Sequence, residues 1–246
     1  MLKSSYLRIR NFLGLLGCLL PVLCVAGAAF SPNTANKGWW YSISVTYYSS
    51  PMLTGVLAAV GLFLIVYRSY ETVDTVINTI AGFFALCVVC FPCECSWLPE
   101  TTRVGLFWLP IYITKWVHYA TAFLLFLLLA INSIWLFAKG KNPVKNKIYK
   151  ICGWTMIGAL LCFGLNMVWW KVEPMIIFWE TVMLLAFGFS WLVKGHCFDK
   201  WFGRLNKIRK QVVKNIENQD EKESENSSEN QSENQSENSS ENPEEI

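Results

Sequence analysis

Three polar residues lie in otherwise apolar stretches of the chain, and their types could support chemistry: His118, Asn166 and Glu180. A carboxylate and an imidazole within hydrogen-bond reach can bind a cation or trade a proton as base and acid. An ionisable group in apolar surroundings is costly, so Glu180 calls for an explanation. The run Tyr41-Ser42-Ile43-Ser44-Val45-Thr46-Tyr47-Tyr48 adds hydroxyls, with Ser44, Tyr47 and Tyr48 as candidate lid residues over the same site. One reading is a polar ligand pocket in which Glu180 binds a cation or acts as base with His118 as partner. The other is an interhelical Glu180 to His118 hydrogen bond that fixes packing.

Other reactive patterns do not assemble. Cys87-Val88-Val89-Cys90 has redox spacing but falls in an apolar run rather than after a strand. Gly188-Phe189-Ser190-Trp191 lacks a nearby His and is no nucleophile elbow. No Gly-rich phosphate loop is present. Two His, at 118 and 196, and scattered Cys give no metal spacing, so no metal or cofactor is expected.

The elements that must position these residues follow from hydropathy. The 246 residues are 53% hydrophobic, more than a soluble domain keeps once a polar tail is set aside. Six runs approach the roughly 20 apolar residues that cross a bilayer as helix: 12–30, 51–67, 75–91, 115–138, 151–170 and 175–193. An all-α membrane bundle of six helices over residues 1–193 is expected. Glu180 then lies about six residues into the last helix, roughly 9 Å deep. His118, Asn166 and Glu180 would share one polar layer.

Charge tests the count. Connecting segments of one parity carry 16 Lys and Arg, and those of the other carry 4: Lys37, Arg103, Lys115 and Lys171. The positive-inside rule then places both termini in the cytoplasm. Trp39, Trp40, Trp97, Trp108, Trp116, Trp169, Trp170 and Trp179 would form an outer interfacial belt, and Trp135, Trp154, Trp191 and Trp201 an inner one. Glu71 and Asp74 are expected on a solvated inner loop beside Arg68. Ala81/Ala85 and Ala186/Ser190 have the spacing of helix contacts. The first 30 residues also fit a cleavable signal peptide, which would leave five spans; a retained first helix is the reading adopted.

Residues 194–216 place Trp201, Leu205, Ile208, Val212 and Ile216 at helical spacing, with Lys200, Arg204, Lys207 and Lys214 between them. This is either an amphipathic helix contacting inner-leaflet lipid or a simple stop-transfer flank. Nucleic acid is not expected as a partner. Residues 217–246 hold 11 of the 18 acids and five Ser-Glu-Asn triplets, with no aromatic residue. Such a segment cannot bury a core and should be disordered.

Several motifs carry a resemblance over residues 38–195. They are Ser42-Ile43-Ser44 with Tyr47-Tyr48, Tyr67-Arg68-Ser69-Tyr70-Glu71, Val117-His118-Tyr119-Ala120, Phe178-Trp179-Glu180-Thr181 and the run from Ala186 to Gly195. In these the chain resembles a family of uncharacterised bacterial six-span membrane proteins. More distantly, it is similar to the six-span group with autophagy-modulator-like and lipid-regulator-like members. The resemblance implies a multi-pass protein of the bacterial cytoplasmic membrane and supplies no reaction. Three functions are compatible with these readings. The first is a non-enzymatic protein that binds or senses a lipid or small ligand. The others are a small transporter and an intramembrane enzyme using Glu180 and His118. Membrane lipids are the expected partners, and the oligomeric state is left open.

Overall fold

A computed structural model describes residues 2–31, 41–69 and 71–199, with positions 203, 204, 207, 208, 211–213 and 215 beyond them. The architecture is all-α. The helices are α1 (Leu2–Ala29), α2 (Met52–Val66), α3 (Thr72–Cys90), α4 (Ile111–Ile131), α5 (Pro143–Leu165) and α6 (Glu173–Lys194). A 3-10 turn at Ser44–Tyr48 precedes α2, and a short hairpin, β1 (Arg103–Val104) with β2 (Leu109–Pro110), precedes α4. Helix α4 continues through a π-helical turn at Asn132–Leu136, and α5 through another at Asn166–Trp170.

Local chemistry explains several helix ends. The Asn142 side chain accepts hydrogen bonds from the Val144 and Lys145 amides, and Pro143 fits the first turn, so α5 starts there. Helix α6 has Glu173 in its first turn and Lys194 in its last, both matched to the helix dipole.

Among the described residues, five helices are long and apolar enough to cross a membrane: Leu7–Ala29, Thr72–Cys90, Ile111–Lys139, Pro143–Trp170 and Glu173–Lys194. The second expected span falls short. Helix α2 has 15 residues, about 22 Å at the helical rise against a hydrocarbon core of about 30 Å.

The helices pack in chain order, each on the next, and α1 closes onto α6. Helix α5 packs on α4 and α6, which also touch each other. Glycines set the closest approaches. A Cβ on Gly188 would stand 2.5 Å from the Cys18 amide nitrogen and 2.7 Å from the Gly14 carbonyl oxygen. A Cβ on Gly82 would meet the Gly61 carbonyl at 2.5 Å. Backbones this close gain dispersion along their length, which is the association force left when solvent is apolar. Ala81, Ala85 and Ser190 are buried, as their spacing suggests, whereas Ala186 is only partly so.

Burial corrects two sequence expectations. Trp191 is no interfacial anchor. It is 1% exposed, within an aromatic cluster with Tyr67, Phe137 and Phe187. Asp74 is not solvated either. It is 7% exposed and accepts a hydrogen bond from Ser69 Oγ, while Glu71 does stay exposed and pairs with Lys139. Trp135, Trp154, Trp169 and Trp170 are exposed. Trp39, Trp40 and Trp201 lie outside the described residues.

Residues 198–246 form a separate unit. Its described positions beyond Phe198, Arg204 and Lys207 among them, are helical and exposed. Lys200, Lys214 and the Ser-Glu-Asn repeats lie outside the described residues.

Candidate functional site

The site is built on one carboxylate. Glu180, in the second turn of α6, is 8% exposed. It accepts hydrogen bonds from the Ser42 hydroxyl, the Ile43 amide, the Ser44 amide and the Ser44 hydroxyl, at 2.5–3.4 Å. These donors begin the 3-10 turn at Ser44–Tyr48, whose first amides have no partner within the turn. A carboxylate there satisfies them and complements the positive end of the peptide dipoles. Charge-assisted bonds of this kind are among the stronger ones, about 1.5–3 kcal/mol each and not additive. Glu180 therefore ties the 41–48 segment to α6. Thr46 Oγ closes the same turn onto the Ile43 carbonyl at 2.6 Å.

His118 does not join Glu180. Its Nδ1 lies 2.8 Å from the carbonyl oxygen of Phe91, the residue just past α3. A carbonyl only accepts, so this contact requires the proton on Nδ1. His118 thus satisfies one of the free carbonyls at the end of α3. Asn166 is engaged elsewhere again. Its amide donates to the Val172 carbonyl at 3.0 Å and its oxygen accepts from the Val172 amide at 3.2 Å. That pair closes the turn from α5 into α6, with Lys171 in the left-handed region at φ 51°. The expected Glu180 to His118 hydrogen bond is replaced by three separate links from side chain to backbone.

The lid residues divide in the same way. Ser44 bonds Glu180 directly. The Tyr48 hydroxyl donates to the Cys93 carbonyl at 2.6 Å, and the Tyr48 ring packs edge-on against Tyr47 and Trp97. Val45, Cys93 and Cys95 form a small core here, covered by Tyr41, Tyr48, Trp97, Leu98 and Tyr119. Burial pushes the Tyr41 hydroxyl up to about 12 and also raises Tyr47, Tyr48 and the Cys93 thiol. All of these groups are protonated at neutral pH.

Below Glu180 lies a cavity of about 60 Å³. It is walled by apolar residues of α1, α2, α3, α4 and α6, including Leu20, Leu57, Val88, Leu125 and Phe187. Glu180 and Ser44 are the polar side chains in its lining. Helix α5 contributes nothing to it.

Sequence reasoning placed Ser42 in the lid run without assigning it a contact, and it missed the Ile43 amide. The Ser-x-Ser spacing was the available signal, since two hydroxyls that flank one amide can converge on a single acceptor. Among the described residues, no group of three His, Cys, Asp or Glu side chains could hold a metal ion. No protein-family model matches the chain, and neither the curated proteins nor the solved structures contain a match to it. The resemblance over residues 38–195 therefore rests on its quoted motifs.

Proposed function

We propose that this chain is a multi-pass protein of the bacterial cytoplasmic membrane, crossing six times with both termini inside. We further propose that it binds a lipid or another small amphiphile in the cavity under Glu180. The sixfold topology is supported by the charge split of 16 against 4 and by six consecutive apolar helices, of which five are of full length. The turn that Glu180 anchors precedes the short α2, with residues 49–51 between them.

The observation that carries the ligand reading is the cavity itself, apolar on its walls and polar at one end. Its volume of about 60 Å³ seats a chain end or a small group rather than a whole lipid. The Ser44 hydroxyl gives its proton to Glu180 and keeps its oxygen as an acceptor for a ligand, and the walls offer apolar contact. This is the usual division of labour in a small-molecule site. Transport would call for helix interruptions midway along the spans. Here the π-helical turns follow the ends of α4 and α5.

Native mass spectrometry of the purified chain tests the reading, with wild type compared against Glu180→Gln and the cavity-filling Ala122→Phe. A co-purified adduct in wild type that is lost in Ala122→Phe is the expected result. Equal, empty spectra for all three proteins would remove the ligand.

A further inference from the structure

At the end of the bundle opposite Glu180, α1 and α6 bring two cations together. A Cβ added to Gly195 would stand 3.1 Å from the Asn11 amide nitrogen and collide with the Asn11 side chain. The backbones of α1 and α6 therefore touch at this level. Arg10 and Lys194 are the residues immediately before these two in the chain. Both are half-buried.

Each is held by aromatic groups rather than by an acid. Arg10 donates from Nε and Nη2 to the Tyr67 hydroxyl at 3.0 and 2.8 Å, and its guanidinium lies 5.5 Å from that ring's centroid. Lys194 Nζ sits 4.6 Å from the Phe137 ring centroid and 5.8 Å from that of Tyr149. Trp191 packs edge-on to both Tyr67 and Phe137, so the rings form one continuous backing. Cation–π contacts of this kind hold a cation in position and leave its N–H donors free.

The donors exceed the acceptors. Arginine carries five N–H groups and lysine three. Tyr67 takes two from Arg10. Among the described residues, no carboxylate comes within ion-pair distance of either cation. Of the nearby acids, Glu71 pairs with Lys139, and Asp74 accepts from Ser69 through Oδ2 while its Oδ1 reaches neither cation. Two adjacent half-buried cations, with donors unused among the described residues, are complementary to an oxyanion that can accept from both. A guanidinium suits a tetrahedral phosphate through its fixed fork, and an ammonium supplies a point charge beside it.

We propose that Arg10 and Lys194 form a phosphate-binding site, backed by Tyr67, Phe137 and Tyr149. The phosphate comes either from a phospholipid headgroup at the membrane surface or from a free phosphate. The site is separate from the cavity under Glu180, and its occupancy does not depend on that cavity being filled.

Thermal unfolding of the full chain in neutral detergent tests the proposal. Three additives are compared: phosphatidylglycerol, a diacylglycerol with the same chains, and inorganic phosphate. Stabilisation by phosphatidylglycerol and not by diacylglycerol is expected, with the half-saturating concentration raised at least tenfold (about 1.4 kcal/mol) by Arg10→Gln or Lys194→Met. Equal stabilisation by inorganic phosphate identifies the free ion as the source and also supports the site. The proposal fails if no phosphate stabilises, if diacylglycerol does as well, or if both variants respond like wild type. A variant that does not fold is replaced by photo-crosslinking of wild type to a photoactivatable phosphatidylglycerol. Adducts in residues 7–14 or 191–196 support the site, and adducts confined to residues beyond 198 overturn it.

Discussion

The Ser42 hydroxyl lies 3.0 Å from both carboxylate oxygens of Glu180, a residue 138 positions later in the chain. This contact joins the segment before α2 to the interior of α6, and it fastens the upper end of the cavity.

Glu180→Ala leaves the Ile43 and Ser44 amides without their acceptor. A buried donor stripped of its partner costs about 1–3 kcal/mol, and for a chain of this size that lowers the unfolding midpoint by about 2–12 °C. Glu180→Gln keeps one carbonyl acceptor and should lose less. Fluorescence-detected thermal unfolding in detergent measures both. A Glu180→Ala midpoint equal to wild type would contradict the anchoring role.

The Asn78 side chain donates to the Asp74 carbonyl and accepts from Asn132, both residues being fully buried. Asn78→Leu should destabilise by about 1–3 kcal/mol because the Asn132 amide is left stranded. Asn78→Leu combined with Asn132→Leu should recover much of that loss, because both polar groups are then gone. Simple additivity of the two single effects would show that the residues act independently.

Cys93 and Cys95 are buried, and Cys197 is exposed. At neutral pH, N-ethylmaleimide should modify Cys197 well before either of the other two. With Cys197 on the cytoplasmic side, an impermeant maleimide should label it in permeabilised cells and not in intact ones. Labelling of intact cells would reverse the proposed topology.

The protonated groups of the upper core give a pH dependence. Cys93, Tyr41 and Tyr48 hold their protons more tightly in the fold than in the unfolded chain. The unfolded chain begins to release them near pH 8.5 for Cys and near pH 10 for Tyr. Stability from these groups is therefore complete below about pH 8.5 and declines as the pH climbs beyond it. A thermal midpoint that is flat from pH 7 to 8 and falls above pH 9 is expected, with Cys93→Ala softening the first part of the fall. A midpoint unchanged up to pH 10.5 would refute it.

Much of the helical framework was legible because helix formation in an apolar run leaves few alternatives. The apolar runs 151–170 and 175–193 did not mark the helix starts, which lie at Pro143 and Glu173, where Asn142-Pro143 and Glu173-Pro174 supply local start signals. What could not be read was which polar residue meets which. His118, Asn166 and Glu180 have similar depth, yet each found a backbone partner close to its own helix end, and depth alone does not distinguish that from one shared layer. Asp74 and Trp191 were misjudged for the same reason. A loop position for Asp74 and an inner-face position for Trp191 suggest exposure, but Ser69 bonds Asp74, and Tyr67 and Phe137 pack on Trp191. The Gly14–Gly188 contact has no local pattern at all, because its two halves lie at opposite ends of the bundle's sequence.

The contact between α1 and α6 constrains biosynthesis. Gly14 and Gly17 gain their partners only when Phe187, Gly188 and Leu192 have left the ribosome. During the synthesis of about 170 intervening residues, the first helix must wait beside α2 with its small-residue face against lipid or a chaperone. The bundle therefore cannot close one helix at a time from the N-terminus. Its last assembly step is the docking of the newest helix against the oldest, so a chain truncated before α6 would leave the ring open and α1 exposed to quality control.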